Sequence, residues 1–185
     1  MYLKTAIHSI LNNIVMNKTT LFIIVSLAVL AAGYLLFDGG TMPKREAVES
    51  SVVELKDGDT FDLTASYVTK KIAGKKQTML AYNGSIPGPT IRVPQGAEVT
   101  INFKNDTDIP ALLHSHGVRM ENKFDGSQSV QEEMKPGESF SYRLKFPDDG
   151  IYWYHPHVKE SFAQSRGLYG AFIVTPSDPK YFPPV

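Results

Sequence analysis

From Val52 onward the chain alternates apolar and polar residues in short runs, broken at close intervals by Gly, Pro, Asn and Asp. Within 97–105, Val99, Ile101 and Phe103 share one face while Thr100, Asn102 and Lys104 share the other. That period of two is what a half-buried strand requires, because successive side chains leave opposite faces of the backbone. Residues 139–146 repeat it with Phe140, Tyr142, Leu144 and Phe146. Further strands are predicted over 61–72, 77–82, 89–93, 110–116, 151–156 and 168–175. Turn-forming pairs separate them: Asn83-Gly84, Pro87-Gly88, Gln95-Gly96, Pro136-Gly137 and Asp149-Gly150. No stretch of this region carries a helix of useful length, and there is no internal repeat. The expected fold is all-β, a sandwich of two sheets.

The first fifty residues follow a different pattern. Residues 19–37, TTLFIIVSLAVLAAGYLLF, contain no charge and are almost wholly apolar, close to the roughly 20 residues that a membrane-spanning helix needs. A cleaved signal peptide is the competing reading. The apolar run exceeds the roughly 7–15 residues of a signal core, and no clear small-x-small site follows it, so an anchor helix is expected. Lys4 and Lys18 precede the segment, whereas the charges after it are mixed; the lysines place the N-terminus in the cytoplasm and the domain in the periplasm or outside the cell. Residues 1–18 carry Ile7, Ile10, Leu11, Ile14 and Val15 at helical spacing, which fits an interfacial helix or a continuation of the anchor. Residues 38–50 hold a Gly pair, a Pro and several charges without periodicity and are expected to be a linker. The folded domain is then 51–185.

Lys plus Arg and Asp plus Glu balance at 19 each. No charge excess therefore points to nucleic acid. The chain has no cysteine, which removes disulfides, thiolate metal sites and cysteine nucleophiles from consideration. Any metal must sit on nitrogen or oxygen.

Four of the five histidines fall in two H-x-H pairs, His114-Ser115-His116-Gly117 and His155-Pro156-His157; the fifth, His8, precedes the apolar segment. On a strand, residues i and i+2 share a face, so each pair can aim two imidazoles at one point without bending the backbone. One such pair is often accidental. Two pairs at the ends of predicted strands, with no other histidine in the domain, point to a metal centre. Imidazole suits copper, zinc, iron and nickel alike, so spacing leaves the metal open.

Four segments in order carry a resemblance: Asn83-Gly84-Ser85-Ile86-Pro87-Gly88-Pro89-Thr90-Ile91-Arg92-Val93, then His114-Ser115-His116-Gly117, then Trp153-Tyr154-His155-Pro156-His157, then Gly167-Leu168-Tyr169-Gly170-Ala171-Phe172-Ile173-Val174. Together they resemble the N-terminal, plastocyanin-like domain of bacterial laccase-like multicopper oxidases, over about residues 60–176. The resemblance implies a Greek-key cupredoxin sandwich behind the anchor helix, and copper as cofactor. It implies that His114 binds a type 2 copper, that His116 binds one of a type 3 pair, and that His155 and His157 are type 3 ligands. It also implies that Asp125, nine positions after His116, helps deliver protons to reduced oxygen; a carboxylate beside such a site can act as general acid, although Asp-Gly is equally a turn signal. Ser115 stands where many relatives have Trp. Trp153 and Tyr154 are expected in the core, and Gly167 and Gly170 are expected to permit close backbone approach.

In that family a complete oxidase also needs a type 1 copper with a cysteine ligand, and four further histidines at the trinuclear site. Both would come from a C-terminal cupredoxin domain or chain, so a fragment, a truncated gene or half of a split enzyme is expected, with O2 and an unidentified electron donor as the other partners. The alternative is a membrane-anchored copper-binding module without turnover. Finally, Asn83-Gly84-Ser85 and Asn105-Asp106-Thr107 match the glycosylation acceptor pattern.

Overall fold

The computed structural model describes residues 45–178 and Lys180, together with Ile23 and Ser26. The chain divides into two units, Met1–Met42 and Pro43–Val185, and the described fold belongs to the second. The expected anchor over 19–37 and the segment before it lie outside the described residues apart from Ile23 and Ser26. Among the described residues no helix is long and apolar enough to cross a membrane.

The described strands are β1 (Arg45–Glu46), β2 (Val52–Glu54), β3 (Thr60–Ile72), β4 (Lys75–Tyr82), β5 (Thr90–Pro94), β6 (Glu98–Asp106), β7 (Leu113–His116), β8 (Ser139–Lys145), β9 (Gly150–Pro156) and β10 (Gly170–Thr175). A short 3-10 turn spans Asn122–Phe124, and one helix, α1, spans Glu160–Ser165. The strands form two five-stranded sheets. In the first, β1-β3-β6-β8 are neighbours and β4 pairs with β3. The second runs β2-β5-β10-β9-β7. Strand β3 serves two partners: Thr60–Ser66 pairs with β6 in parallel, and Ala65–Ile72 pairs with β4 antiparallel.

Alternation decides which face is covered. In β6, Val99, Ile101 and Phe103 are buried; in β8, Tyr142 and Leu144; in β9, Tyr154; in β10, Phe172 and Val174. These side chains meet between the sheets in one core cluster. Burying such aromatic and branched side chains contributes roughly 1.5–3 kcal/mol each. Tyr142 also links the core to the strand that carries the first histidine pair: its hydroxyl accepts from the Leu113 backbone N–H at 3.2 Å and donates to Gln131 Oε1 at 3.1 Å.

Five details depart from the sequence-based expectations. Helix α1 follows the second histidine pair, where no helix was expected; its six residues are too few for periodicity to register. Strand β7 begins at Leu113 rather than near 110, because Ala111 forms an isolated bridge to Met134. Strand β10 begins at Gly170 rather than 168, since Gly167 and Leu168 close the end of α1 through backbone bonds to Gln164 and Ala163. Regular pairing already occurs inside the stretch expected to be linker, where Arg45 and Glu46 pair with Val68 and Thr69 of β3. The two glycosylation-like asparagines are both structural. Asn105 is fully buried and its amide donates to the carbonyls of Ile109 and Met134, while the Asn83 amide bridges Thr64 and Asp62.

Candidate metal centre

Strands β7 and β9 are antiparallel neighbours at the edge of the second sheet, with His114 opposite His155 and His116 opposite Trp153. Leu113 and Ser115 of β7 are buried while His114 and His116 are not, and Tyr154 of β9 is buried in the core. The pleat therefore sends His114, His116, Trp153 and His155 to the outer face of the sheet. His155 is nonetheless only 1% exposed, because α1 packs against β9 beside it and the other imidazoles surround it. His157 lies just past the end of β9 and is half-buried.

The four rings form one cluster. Ring centroids are 5.4 Å apart for His114–His116, 5.3 Å for His114–His155, 4.0 Å for His114–His157, 5.5 Å for His116–His155 and 5.2 Å for His155–His157. His114, His116 and His155 offer donor atoms within 4.8 Å of one another, and so do His114, Asp125 and His157. Two ligands on one ion with bonds of about 2.0–2.1 Å stand at most about 4.2 Å apart, so little movement separates these groups from coordination geometry.

Individual contacts sort the donors further. His116 Nδ1 and His155 Nε2 are 3.3 Å apart, the spacing expected of two nitrogens on one tetrahedral ion with bonds of about 2.0 Å. His114 and His157 are stacked with an interplanar angle of 20°. His114 Nδ1 lies 2.6 Å from the Asp125 carbonyl oxygen, to which it donates. That bond leaves Nε2 as the free donor atom of His114 and fixes the ring's orientation.

Asp125 reaches this position because of the residue after it. Gly126 has φ +71° and sits so close to the Leu113 carbonyl that a Cβ there would overlap it. The resulting turn presses the Asp125 backbone onto His114 and brings its carboxylate Oδ1 to 3.6 Å from His114 Nδ1. Gly170 plays the analogous part in the core: a Cβ there would fall on the Tyr154 ring, so its absence leaves room for that ring, whose hydroxyl donates to the Pro89 carbonyl at 2.6 Å.

Burial, followed by the positive field of His114 and His157, holds the His155 pKa below its ordinary value. Burial and then His114 do the same for His157. Both rings are therefore neutral at pH 7, the form that offers a lone pair to a metal. The donor set of four imidazoles with one nearby carboxylate and no thiolate fits copper, and accepts zinc or nickel as well.

All five sequence-predicted residues come together here. Three neighbours were not anticipated. Trp153, expected in the core, lies instead on the outer face, 38% exposed and stacked on His155 at 3.9 Å. Glu160 and Gln164 of α1 reach His155 Nδ1, at 3.7 Å and 2.8 Å. Their i, i+4 spacing directly after the second histidine pair was the available signal.

A two-sheet sandwich that gathers imidazoles from two adjacent strands onto one face defines a cupredoxin-like domain with a candidate metal centre. Residues 64–179 match the multicopper oxidase family, and the chain belongs to that family. It is similar to copper resistance protein A of Pseudomonas syringae pv. tomato, 30% identical over 141 residues that make up 76% of this chain and 23% of that protein. It is also similar to the multicopper oxidase MmcO of Mycobacterium tuberculosis, 34% identical over 66% of this chain and 24% of that protein. Among solved structures, the multi-copper oxidase from Pseudomonas thermotolerans superposes with a TM-score of 0.64 at 32% identity, covering 71% of this chain and 32% of the other. The metallo-oxidase from Campylobacter jejuni gives 0.62 at 29% identity, covering 76% and 32%. The chain spans about a quarter of the length of these curated relatives.

Proposed function

We propose that this chain is the copper-binding first domain of a multicopper oxidase, supplying half of the histidine ligands of a trinuclear copper site that reduces O2 to water. The observation that carries the reading is the convergence of His114, His116, His155 and His157 from two strands onto one end of the second sheet. The bound copper ions would supply the electron-transfer chemistry and the O2 binding. His114, free at Nε2, is the type 2 ligand. His116 and His155, with their donor atoms 3.3 Å apart, share one type 3 copper, and His157 serves the other. Asp125 has two roles: its carbonyl orients His114, and its carboxylate would relay protons toward reduced oxygen at the site.

Four histidines give three coppers little more than one protein ligand each. The remaining ligands, and the type 1 copper that this cysteine-free chain cannot build, belong to a second cupredoxin domain. Its docking surface is the outer face of the second sheet, where Trp153 and the 80% exposed Ile151 lie on the same strand as His155. Both are apolar and left uncovered within the described fold. Residues 19–37 anchor the protein in a membrane, with the domain in the periplasm or outside the cell.

An oxygen electrode tests the reading. The copper-loaded chain alone should consume no O2 with a phenolic donor, and a C-terminal cupredoxin domain from a related oxidase should restore turnover. Steady consumption by the chain alone that vanishes in His155→Ala would refute the need for a partner; copper binding without turnover in any mixture would support an anchored copper-holding module instead.

A further inference from the structure

We propose that the β3–β4 hairpin docks the domain on an anionic phospholipid surface, with Lys71, Lys75 and Lys76 facing the headgroups and Ile72 entering them. The inference deepens the reading of residues 19–37 as a membrane anchor. Residues 63–97 contain five cations and no acid, and four of the five are Lys70, Lys71, Lys75 and Lys76. The balanced charge of the whole chain hides this concentration.

The fold brings the lysines to one tip. Strands β3 and β4 pair to their ends, with Lys71 opposite Lys76 and Ile72 opposite Lys75. Ala73 and Gly74 close the ribbon with φ +47° and +81°, the two positive values of a tight two-residue hairpin loop. Residues 71–78 are all exposed, on both faces of the ribbon. Beyond Thr69 the hairpin therefore has only itself for support.

Such a tip is costly to keep. Like charges directly opposite one another on paired strands are destabilising, and Lys71 faces Lys76. Glu46 lies 3.2 Å from Lys76, but both side chains are more than two-thirds exposed, so solvent screens the pair and it offsets little. Lysines on an edge strand discourage strand-to-strand association. Ile72, 45% exposed at the apex, works against that purpose. A basic ribbon with an apolar apex instead matches an interface of anionic headgroups over hydrocarbon.

The chain's path favours lipid over a soluble polyanion. Arg45, the first residue of β1, pairs beside Val68, four positions from Ile72 or about 13 Å along the strand. The eight steps from Phe37 to Arg45 can span at most about 28 Å. The end of the apolar segment and the hairpin tip can thus reach the same plane. The hairpin belongs to the first sheet, whereas the histidines stand on the second, so docking by the hairpin leaves them open.

Site-specific fluorescence of the full chain tests this. The chain has no cysteine, so Gln77→Cys gives one labelling position beside the apex for an environment-sensitive dye. Vesicles are phosphatidylcholine alone, or phosphatidylcholine with phosphatidylglycerol. Emission should shift to the blue only with phosphatidylglycerol. The shift should be present at about 0.1 M salt, where charges act over about 10 Å, and lost at about 1 M, where the range is about 3 Å. Lys71→Gln/Lys75→Gln/Lys76→Gln should abolish it without lowering the thermal midpoint. No shift, an equal shift with both vesicle types, or a shift that survives high salt or the triple replacement would overturn the proposal. An equal response to soluble polyglutamate would assign the ribbon to an acidic protein surface and overturn lipid docking. Flotation of the same samples reads the anchor separately. Protein that floats with neutral vesicles supports residues 19–37 as an anchor; protein that floats only with phosphatidylglycerol removes the anchor and keeps the hairpin.

Discussion

Ser115 and Tyr82 show how tightly the sandwich is committed to its shape. Both hydroxyls are buried, and among the described residues neither finds a hydrogen-bond partner. A buried unsatisfied hydroxyl costs about 1–3 kcal/mol, so Tyr82→Phe and Ser115→Ala should each raise the thermal midpoint, by the equivalent of about 1 kcal/mol. Calorimetry that finds either variant less stable would point to a partner for that hydroxyl. The depressed His155 and His157 pKa values make a second prediction at this scale. Below about pH 6.5 the unfolded chain takes up protons that the folded, metal-free protein refuses, so stability is complete above that pH and falls as pH drops toward the lowered folded values. Denaturant titrations of metal-free protein between about pH 7.5 and 5 should show this decline, and His155→Gln should flatten it. An unchanged slope in the variant would remove His155 as its source.

At the level of elements, the site depends on a turn as much as on strands. Gly126 lets the Asp125 segment lie against Leu113 and His114, and no residue with a Cβ fits there without displacing that backbone. Gly126→Ala should therefore lose the Asp125–His114 hydrogen bond, destabilise the domain by about 1–3 kcal/mol, and weaken metal binding although every ligand remains. Isothermal titration with copper against wild type reads this; full-strength binding in the variant would show that the turn does not orient His114. The histidine strands were legible in the sequence because the H-x-H spacing and the alternation of Leu113, Ser115, Tyr152 and Tyr154 share one period of two. Helix α1 was not, since six residues make less than two turns and only Ala163 of them enters the core, too little for an apolar stripe to register. Trp153 was misplaced for a related reason. Alternation gives it the outer face, beside the histidines, but a lone tryptophan in a sandwich strand resembles core until the register with His116 is known.

At the largest scale, within the described domain, the decisive feature is that the face carrying the histidine cluster is also the open face of the second sheet. Ile151, Trp153 and His116 are exposed on a sheet whose other side is packed, which is the arrangement expected of half a site awaiting a complementary domain. Composition could not reveal this, because exposure is a property of the assembled sheets. The lack of cysteine is legible from composition alone, and it excludes a thiolate-ligated type 1 copper from this chain. The most direct measurement of the central claim is electron paramagnetic resonance of the full chain loaded with copper(II). We predict hyperfine splitting from several nitrogen ligands, reduced in His114→Ala/His116→Ala and in His155→Ala/His157→Ala and abolished when all four are replaced. An unchanged nitrogen-ligated signal in the fourfold variant would contradict the account.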